Sequence, residues 1–253
     1  MTFRYFLMFT LILACAGERP TFAETFKKIS QPPLSERWFG IYADKERVGF
    51  YRQKIEATPD GYRMEGDGNI RISVMGFSKI AVTHEVYLVG KNLSLRSLDV
   101  EQTINGSTTR LYGKVGDGIM RIKSENSGKT TERQLKFKGE IYPGPALNLY
   151  PMMRDIVAGK SYKILTFDSE EVRVKEVKIS VLGEDKTPDD RLALKLRNTL
   201  YPFVNNDVWM DGQGNTIFES VRDGLVTTKA EDPKLPGAIV VRTEPAIKEQ
   251  QKP

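Results

Sequence analysis

The strongest constraint on the fold is a two-residue alternation of apolar and polar side chains between Tyr62 and Leu88. The even-numbered residues are mostly apolar from Tyr62 to Val74 and again from Ile80 to Leu88, and most odd-numbered ones are polar. A period of two over such lengths is typical of β-strands that have one buried and one solvent-facing side. We therefore predict two long strands here, with the even-numbered side chains of both buried.

Three residues interrupt these apolar rows and are the local candidates for a binding site. Gly66 and Gly68 remove side chains from the first row, and His84, the only histidine, lies in the second. The glycine pair either opens a groove over the sheet or marks a bulge or the close approach of a helix. His84 is interpreted as a hydrogen-bonded residue of the apolar layer, and its functional alternative is a polar contact in a pocket. With Met64, these residues form the candidate ligand-binding face.

Similar alternation continues along most of the chain and predicts twelve to fourteen antiparallel strands. Asn105-Gly106 and Asp223-Gly224 are typical hairpin turns. Leu95 and Leu98 differ in parity, as they would at a β-bulge. So many sequential strands must curl or close to protect their edges. We expect a mainly β fold: one large antiparallel sheet, curved or an incompletely closed barrel, over residues 37–243, followed by a disordered tail over 244–253.

One stretch, residues 145–157, has helical periodicity instead. Leu149, Met152, Met153, Ile156 and Val157 fall on one face at helical spacing. We predict a short helical segment whose apolar face packs on the concave side of the sheet. The adjacent methionines Met152 and Met153 could also form a pliable ligand surface, so both join the candidate binding residues.

Residue counts exclude several chemistries. The chain of 253 residues has one cysteine and one histidine, so no disulfide, Cys-rich zinc site, His-cluster metal site or Cys-His dyad is expected. No Gly-x-Ser-x-Gly motif accompanies the single imidazole. The net charge of +5 comes without a basic helix or arm, which argues against nucleic acid. We predict no catalytic residues, no metal and no cofactor, and hence a protein that is not an enzyme.

Residues 1–23 are predicted to be a bacterial export signal. Arg4 precedes the apolar run Tyr5–Ala14, which is too short for a permanent membrane span. Two processing sites compete: a lipobox that ends at Cys15, or cleavage after Ala23. We favour lipidation of Cys15 because the sole cysteine directly follows the apolar run. Residues 24–36 are then a linker, and the protein is expected in the periplasm, anchored to the outer membrane.

Two short motifs resemble a known type of domain. Residues 36–42 with Arg47-Val48-Gly49-Phe50, and later Val208–Asp211 with Ile217–Val221, are similar to a β-rich extracytoplasmic domain that precedes transglutaminase-like cysteine proteases in bacteria. The protease domain is not in this sequence. A further likeness, to open barrels of the lipoprotein-carrier type, implies a concave apolar groove for acyl chains.

These observations lead to two functional expectations. The first is a non-enzymatic envelope protein that binds a lipid or other hydrophobic ligand, or an envelope protein partner, inside an open barrel. The alternative is a structural or regulatory module that docks an envelope peptidase and has no ligand of its own.

Overall fold

The computed structural model describes residues 26–43, 45–74, 77–200 and 204–232. The predicted signal segment 1–23, the predicted last strand at 238–242 and the tail at 244–253 lie outside this part of the chain. Within it, strands dominate. They are β1 Glu36–Ala43, β2 Glu46–Thr58, β3 Gly61–Val74, β4 Phe77–Gly90, β5 Leu95–Ile104, β6 Ser107–Gly116, β7 Ile119–Asn126, β8 Lys129–Lys136, β9 Ile141–Tyr142, β10 Ser161–Asp168, β11 Arg173–Lys186, β12 Leu192–Asn198, β13 Asn206–Met210, β14 Thr216–Val221 and β15 Val226–Glu231.

All fifteen strands belong to one sheet, made of two meanders. Strands β1 to β8 pair in sequence order, as do β9 to β15, and β1 pairs with β15 to join the two series. Every pairing is antiparallel except that of β9 with β10. Strands β8 and β9 end the sheet and do not pair with each other in the described residues. The sheet is therefore not closed into a barrel. This open arrangement confirms the prediction of a curved sheet or an incompletely closed barrel.

A shared hydrophobic core makes the two meanders into one unit. Leu111 and Met120 of the first meander lie in the same buried cluster as Val177 and Leu196 of the second. The inner faces of the two meanders therefore face each other. The connecting segment contributes the buried Met152 to the same core. Burial of apolar side chains in such a core is the main driving force for folding.

Turn chemistry and bulges account for the tight meander. Asn105 and Gly106 have φ angles of 49° and 84°, the left-handed pair that a two-residue hairpin requires. The predicted parity change is a bulge, because Leu88 pairs with Ser97 while Val89 pairs with Leu95. Such local signals depend on adjacent residues only, which is why the sequence predicts them well.

The prediction for the buried face of β4 is wrong. Its even-numbered residues point outward, so that Ile80, Val82 and Leu88 are exposed, Val82 to 50%. The odd-numbered Ala81, Tyr87 and Val89 form the buried row. Met64 pairs with Tyr87 across β3 and β4, and directly opposed residues share a face. Register with β3, rather than the local pattern, therefore decides which row is buried.

The connecting segment is less helical than predicted for 145–157. It contains one turn of 3₁₀ helix at Gly144–Ala146 and a single α-helical turn, α1, at Leu149–Met152. Leu149, Met152, Met153 and Ile156 are buried as the spacing predicts, but Val157 is 53% exposed. Pro151 lies within α1, and the chain leaves the helix at Met153. The segment packs by burial of its apolar side chains more than by helix formation.

The predicted linker over 24–36 is also shorter than expected. Phe26 is buried in the core, and the Ile29 amide donates to the Met152 carbonyl at 2.9 Å. The Ile55 amide donates to the Ser35 carbonyl at 3.0 Å, just before β1 begins. From Phe26 onward the chain is therefore part of the folded domain. None of the helices described is long and apolar enough to cross a membrane.

Candidate functional site

One concavity, a half-open cavity of about 490 Å³, is lined by strands of both meanders and by the connecting segment. Its apolar wall includes Phe39, Ile41, Ile55, Leu147, Leu149 and Phe167. Its polar wall includes Tyr51, Gln53, Glu85, Asn198, Asn206 and Glu219. A concave, mostly apolar space with a few converging polar groups, and of this size, is typical of small-molecule sites.

Tyr51 forms the floor on the first meander, and two glycines make room for it. A Cβ on Gly66 would lie 2.4 Å from the Tyr51 hydroxyl, and one on Gly68 would lie 3.4 Å from Cδ2 of the ring. The ring therefore lies over the two bare backbone positions. The notch predicted from Gly66 and Gly68 exists, but an aromatic ring from β2 fills it, and neither an open groove nor a helix occupies that space.

Glu85 is the acidic group on the same wall. It pairs across the strands with Gly66 and is surrounded by protein except where it faces the cavity. Burial raises the pKa of its carboxyl to about 7, and a hydrogen bond from Tyr87 opposes this rise. Burial also raises the pKa of Tyr87 well above its usual value, so this phenol keeps its proton. Glu85 can thus gain or lose a proton near neutral pH while Tyr87 remains a donor.

A second polar group lies on the opposite wall, on β12, β13 and β14. The Asn206 amide nitrogen donates to Asn198 Oδ1 at 3.1 Å and to Glu219 Oε1 at 2.8 Å. Burial raises the pKa of Glu219, and the hydrogen bond from Asn206 counteracts this. The residue is only 1% exposed, and its buried Oδ1 atom has no hydrogen-bond partner among the described residues. Such an acceptor is costly unless something donates to it.

Polar contacts hold the meanders together at the mouth of the cavity. The side-chain Nε2 of Gln102 donates to the Ser169 carbonyl at 3.2 Å, and Lys79 forms an ion pair with Glu170. Burial raises the pKa of Asp168, but hydrogen bonds, chiefly that from Lys175, hold it below its usual value. The acidic groups at the mouth are thus matched by cations, unlike those inside.

His84 lies on the other side of the sheet and is not part of this cavity. Its Nδ1 donates to Asp67 Oδ1 at 2.6 Å on the outer face. Glu65, Asp67 and His84 place ligand atoms within 4.8 Å of one another, as a metal site would. However, Arg52 donates to Glu65 at 2.6 Å and also to Asp67, and Arg63 donates to Glu65 at 2.9 Å, so two guanidinium groups already pair with the two carboxylates. This cluster is an ion-pair network, and the interpretation of His84 as part of an apolar layer is wrong.

The other predicted ligand residues divide between cavity floor and core. Gly66 and Gly68 shape the floor through Tyr51, whereas Met64, Met152 and Met153 are buried in the hydrophobic core. A direct ligand contact for these residues stays a prediction.

Tyr51, Glu85, Asn206 and Glu219 were not predicted as site residues from the sequence. The available signal was an acidic residue, Glu85, in a row with the apolar Tyr87 and Val89.

A wider groove of about 870 Å³ crosses the strands from β3 to β8. Its charged residues include Arg63 and Lys123, which pair with Glu65 at 2.9 Å and Glu125 at 2.6 Å. His84, Leu88 and Tyr112, which contribute to it, are exposed to solvent. The more enclosed cavity with its buried polar groups is the stronger candidate.

Comparison with known proteins places the fold but gives no activity. A family model described as a domain of unknown function, DUF6134, matches residues 39–221. A crystal structure of a β-barrel-like protein of the DUF1849 domain of unknown function from Brucella abortus is similar, with a TM-score of 0.60 at 12% identity. That match covers 80% of this chain and 97% of the other.

A DUF1089 family protein from Pseudomonas aeruginosa matches with a TM-score of 0.39 and 14% identity, over 76% of this chain and 93% of that one. No curated protein matches. None of these matches tests the resemblance to domains that precede transglutaminase-like proteases, which stays a prediction.

Proposed function

Since the chain belongs to the DUF6134 family of domains of unknown function, we propose its function from the cavity: it binds a small ligand with a hydrophobic part. The observation that carries this proposal is the half-open cavity of about 490 Å³ between the meanders, with apolar side chains and polar groups on its walls. The volume lies in the range of drug-sized ligand sites. The role is that of a binding protein and not of an enzyme.

The unpartnered Asn206 Oδ1 supports a ligand in this space. Buried polar atoms in native proteins almost always have a partner, and a specific exception calls for an explanation. A ligand donor would satisfy this acceptor. The apolar side of the cavity, with Phe39, Ile41 and Phe167, would contact the hydrophobic part of the ligand.

A neutral fluorescent amphiphile, N-phenylnaphthylamine, tests the proposal directly. We expect its emission to rise on binding to the protein and to fall when a competing ligand enters. Thr228 faces the cavity from β15, and a Thr228→Trp variant should fill the space and abolish the signal. Thr227→Trp is the matched control, because neighbouring residues in a strand point to opposite faces.

Failure of the probe to bind the native protein, or equal binding by both tryptophan variants, would rule out the cavity as the site. Organic extraction of the protein purified under mild conditions gives an independent measure. A bound lipid or other hydrophobic compound should be present in the native protein and absent from Thr228→Trp.

Location in the bacterial envelope is part of the same proposal. Residues 1–23 have the features of an export signal, with Cys15 positioned for lipidation and Ala23 as the alternative cleavage position. Lipidation would hold the cavity next to the outer membrane, a source of hydrophobic ligands. Mass spectrometry of the mature N-terminus decides this: an acylated Cys15 supports the anchor, whereas an unmodified Glu24 start eliminates it.

The docking alternative has a structural opening at the edge strand β8. Its side chains are almost all exposed, which leaves an edge for strand addition by a partner such as an envelope peptidase. However, β8 contains Lys129, Arg133 and Lys136, and such charged residues typically protect edges from pairing. The ligand-binding function is therefore the preferred one.

A further inference from the structure

The cavity contains more buried acid than its own cations balance. At the mouth, Asp168 pairs with Lys175 at 2.5 Å and Glu170 pairs with Lys79. Inside, neither Glu85 nor Glu219 forms an ion pair in the described part of the chain. The charged groups that act on Glu85 are Glu170, Asp67 and His84, with His84 across the sheet.

Arg37 is the one cation of the cavity wall that has no described ion pair. It lies opposite Gln53 on β1 and β2, at the Ser35 end of the wall. It forms no described ion pair with Glu85 or Glu219, although all three residues line the cavity. The two carboxyl groups are therefore left without an ion-pair partner in the described part of the chain, and buried charges in proteins are normally paired.

The two carboxyl groups line the same cavity, and Tyr51 lies on its wall as well. After burial, Glu85 and Glu219 are the strongest influences that raise the pKa of the Tyr51 phenol. The Tyr51 ring lies with its centroid 6.3 Å from that of Phe39. Aromatic faces beside carboxylates are the combination that recognises ammonium groups, through cation–π attraction and ion pairing.

Asn206 adds an acceptor on the same side. Its nitrogen donates to Glu219 and Asn198, which leaves Oδ1 without a donor on a residue that is 1% exposed. An ammonium group supplies up to three donors and no acceptor. It therefore matches a site that consists of the Glu219 carboxyl group and an amide oxygen with no described donor, in a cavity with a second carboxyl group on its wall. An anionic group would meet repulsion and leave that oxygen unsatisfied.

We propose that the ligand is an amphipathic cation: a protonated amine on an apolar chain, with its ammonium group at Glu219 and Asn206 Oδ1, in the cavity that Glu85 also lines. The chain would lie along Phe39, Ile41 and Leu149. This inference rests on the proposed function, since it names the ligand class of the same cavity.

Three probes with the same ten-carbon chain separate the charge preference from binding itself. Decylamine, decanol and decanoate compete with N-phenylnaphthylamine for the native protein at about pH 7.5. We expect decylamine to bind at least about tenfold more tightly than decanol, and decanoate to bind most weakly. Equal affinities for the three, or tighter binding of decanoate through Arg37, would overturn the inference but leave the cavity function intact. Binding of no probe would overturn the cavity function itself.

Charge-neutral variants test which carboxyl groups cause the preference for the ammonium group. Glu219→Gln should weaken decylamine binding by about tenfold and Glu85→Gln by less, and both should leave decanol binding nearly unchanged. Glu176→Gln is the control, because Glu176 is exposed on β11 and pairs with Lys163 at 3.2 Å. Unchanged decylamine affinity in Glu219→Gln would contradict the assigned position of the ammonium group.

A measurement on the native protein covers the case in which a variant does not fold. Carbon-13 NMR of the glutamate carboxyl groups follows their titration with and without ligand. Decylamine should lower the pKa of the cavity carboxyl groups, since a nearby cation favours their charged form. Decanol should not. Identical titration curves with the two ligands would argue against the proposal.

Discussion

The carboxyl group of Glu85 combines a raised pKa with a position inside the folded protein. Burial raises its pKa from 4.5 to about 7, so between these values the folded state binds more protons than the unfolded state. Stability then falls as the pH rises through this window and levels off above about pH 7. The cavity thus keeps a group whose ionisation destabilises the fold, which is typical of functional sites.

Replacing Glu85 by glutamine should remove this dependence. We expect Glu85→Gln to be more stable than the native protein by about 1–3 kcal/mol near pH 8, and by much less near pH 4.5. Urea unfolding across this pH range measures the difference. Glu176→Gln should show no such trend. A parallel pH profile for Glu85→Gln and the native protein would contradict the assigned cause.

The second prediction at the scale of single residues concerns Gly66. A Cβ at this position would lie 2.4 Å from the Tyr51 hydroxyl and 3.0 Å from Cζ, so the ring must move. We expect Gly66→Ala to cost about 1–3 kcal/mol of unfolding free energy, as overpacking usually does. Gly116→Ala is the control, because nothing lies within 4 Å of its Cβ position. Equal stability of the two variants in urea would show that Tyr51 does not depend on the notch.

Among the elements, the segment between the meanders owes its position to buried side chains. Its α1 helix is a single turn, too short to be stable alone. Met152 is fully buried at the centre of the core. We expect Met152→Ala to cost about 2–5 kcal/mol and Val157→Ala, on the exposed side, less than about 0.5 kcal/mol. Urea unfolding of the two variants compares them, and similar small losses would mean that the segment is only loosely packed.

The seam between β1 and β15 is the element that joins the two meanders. Across it, Glu231 accepts hydrogen bonds from the Tyr42 hydroxyl and, at 2.9 Å, from Arg47 Nη2. Glu231→Gln removes the charge from this partly buried pair, and we expect a loss of about 1–3 kcal/mol. Glu56→Gln tests an exposed pair, with Lys54, and should change stability by less than about 0.5 kcal/mol. A Glu231→Gln effect no larger than that of Glu56→Gln would show that the seam does not rely on this contact.

For the whole molecule, the shared core predicts cooperative unfolding. Trp38 lies in the first meander and Trp209 in the second, and the chain has two tryptophans in all. Trp38→Phe and Trp209→Phe variants therefore each leave one fluorescent reporter. We expect both reporters, and the circular dichroism signal, to give one coincident urea transition for each variant. Clearly separated midpoints within a variant would show that the meanders unfold independently.

The regularity of the strands and turns was readable from the sequence, because it depends on neighbours in the chain. The alternation from Tyr62 to Val74 predicted β3, and Asn105-Gly106 predicted a hairpin whose left-handed φ values the fold contains. The large number of sequential strands, with one helical segment, predicted a mainly β fold with one curved or incompletely closed sheet.

Which face of β4 is buried, and where the acids lie, followed from pairing between strands. Glu85 and Tyr87 are two residues apart in one strand, yet Glu85 enters the cavity because β3 places Gly66 beside it. Glu219 and Asn206 reach the same space from the other meander, more than a hundred residues away. Local periodicity describes one strand at a time, whereas a cavity depends on the register and curvature of many strands. The sequence alone therefore predicted the sheet, and the folding of its two meanders onto one core produced the site.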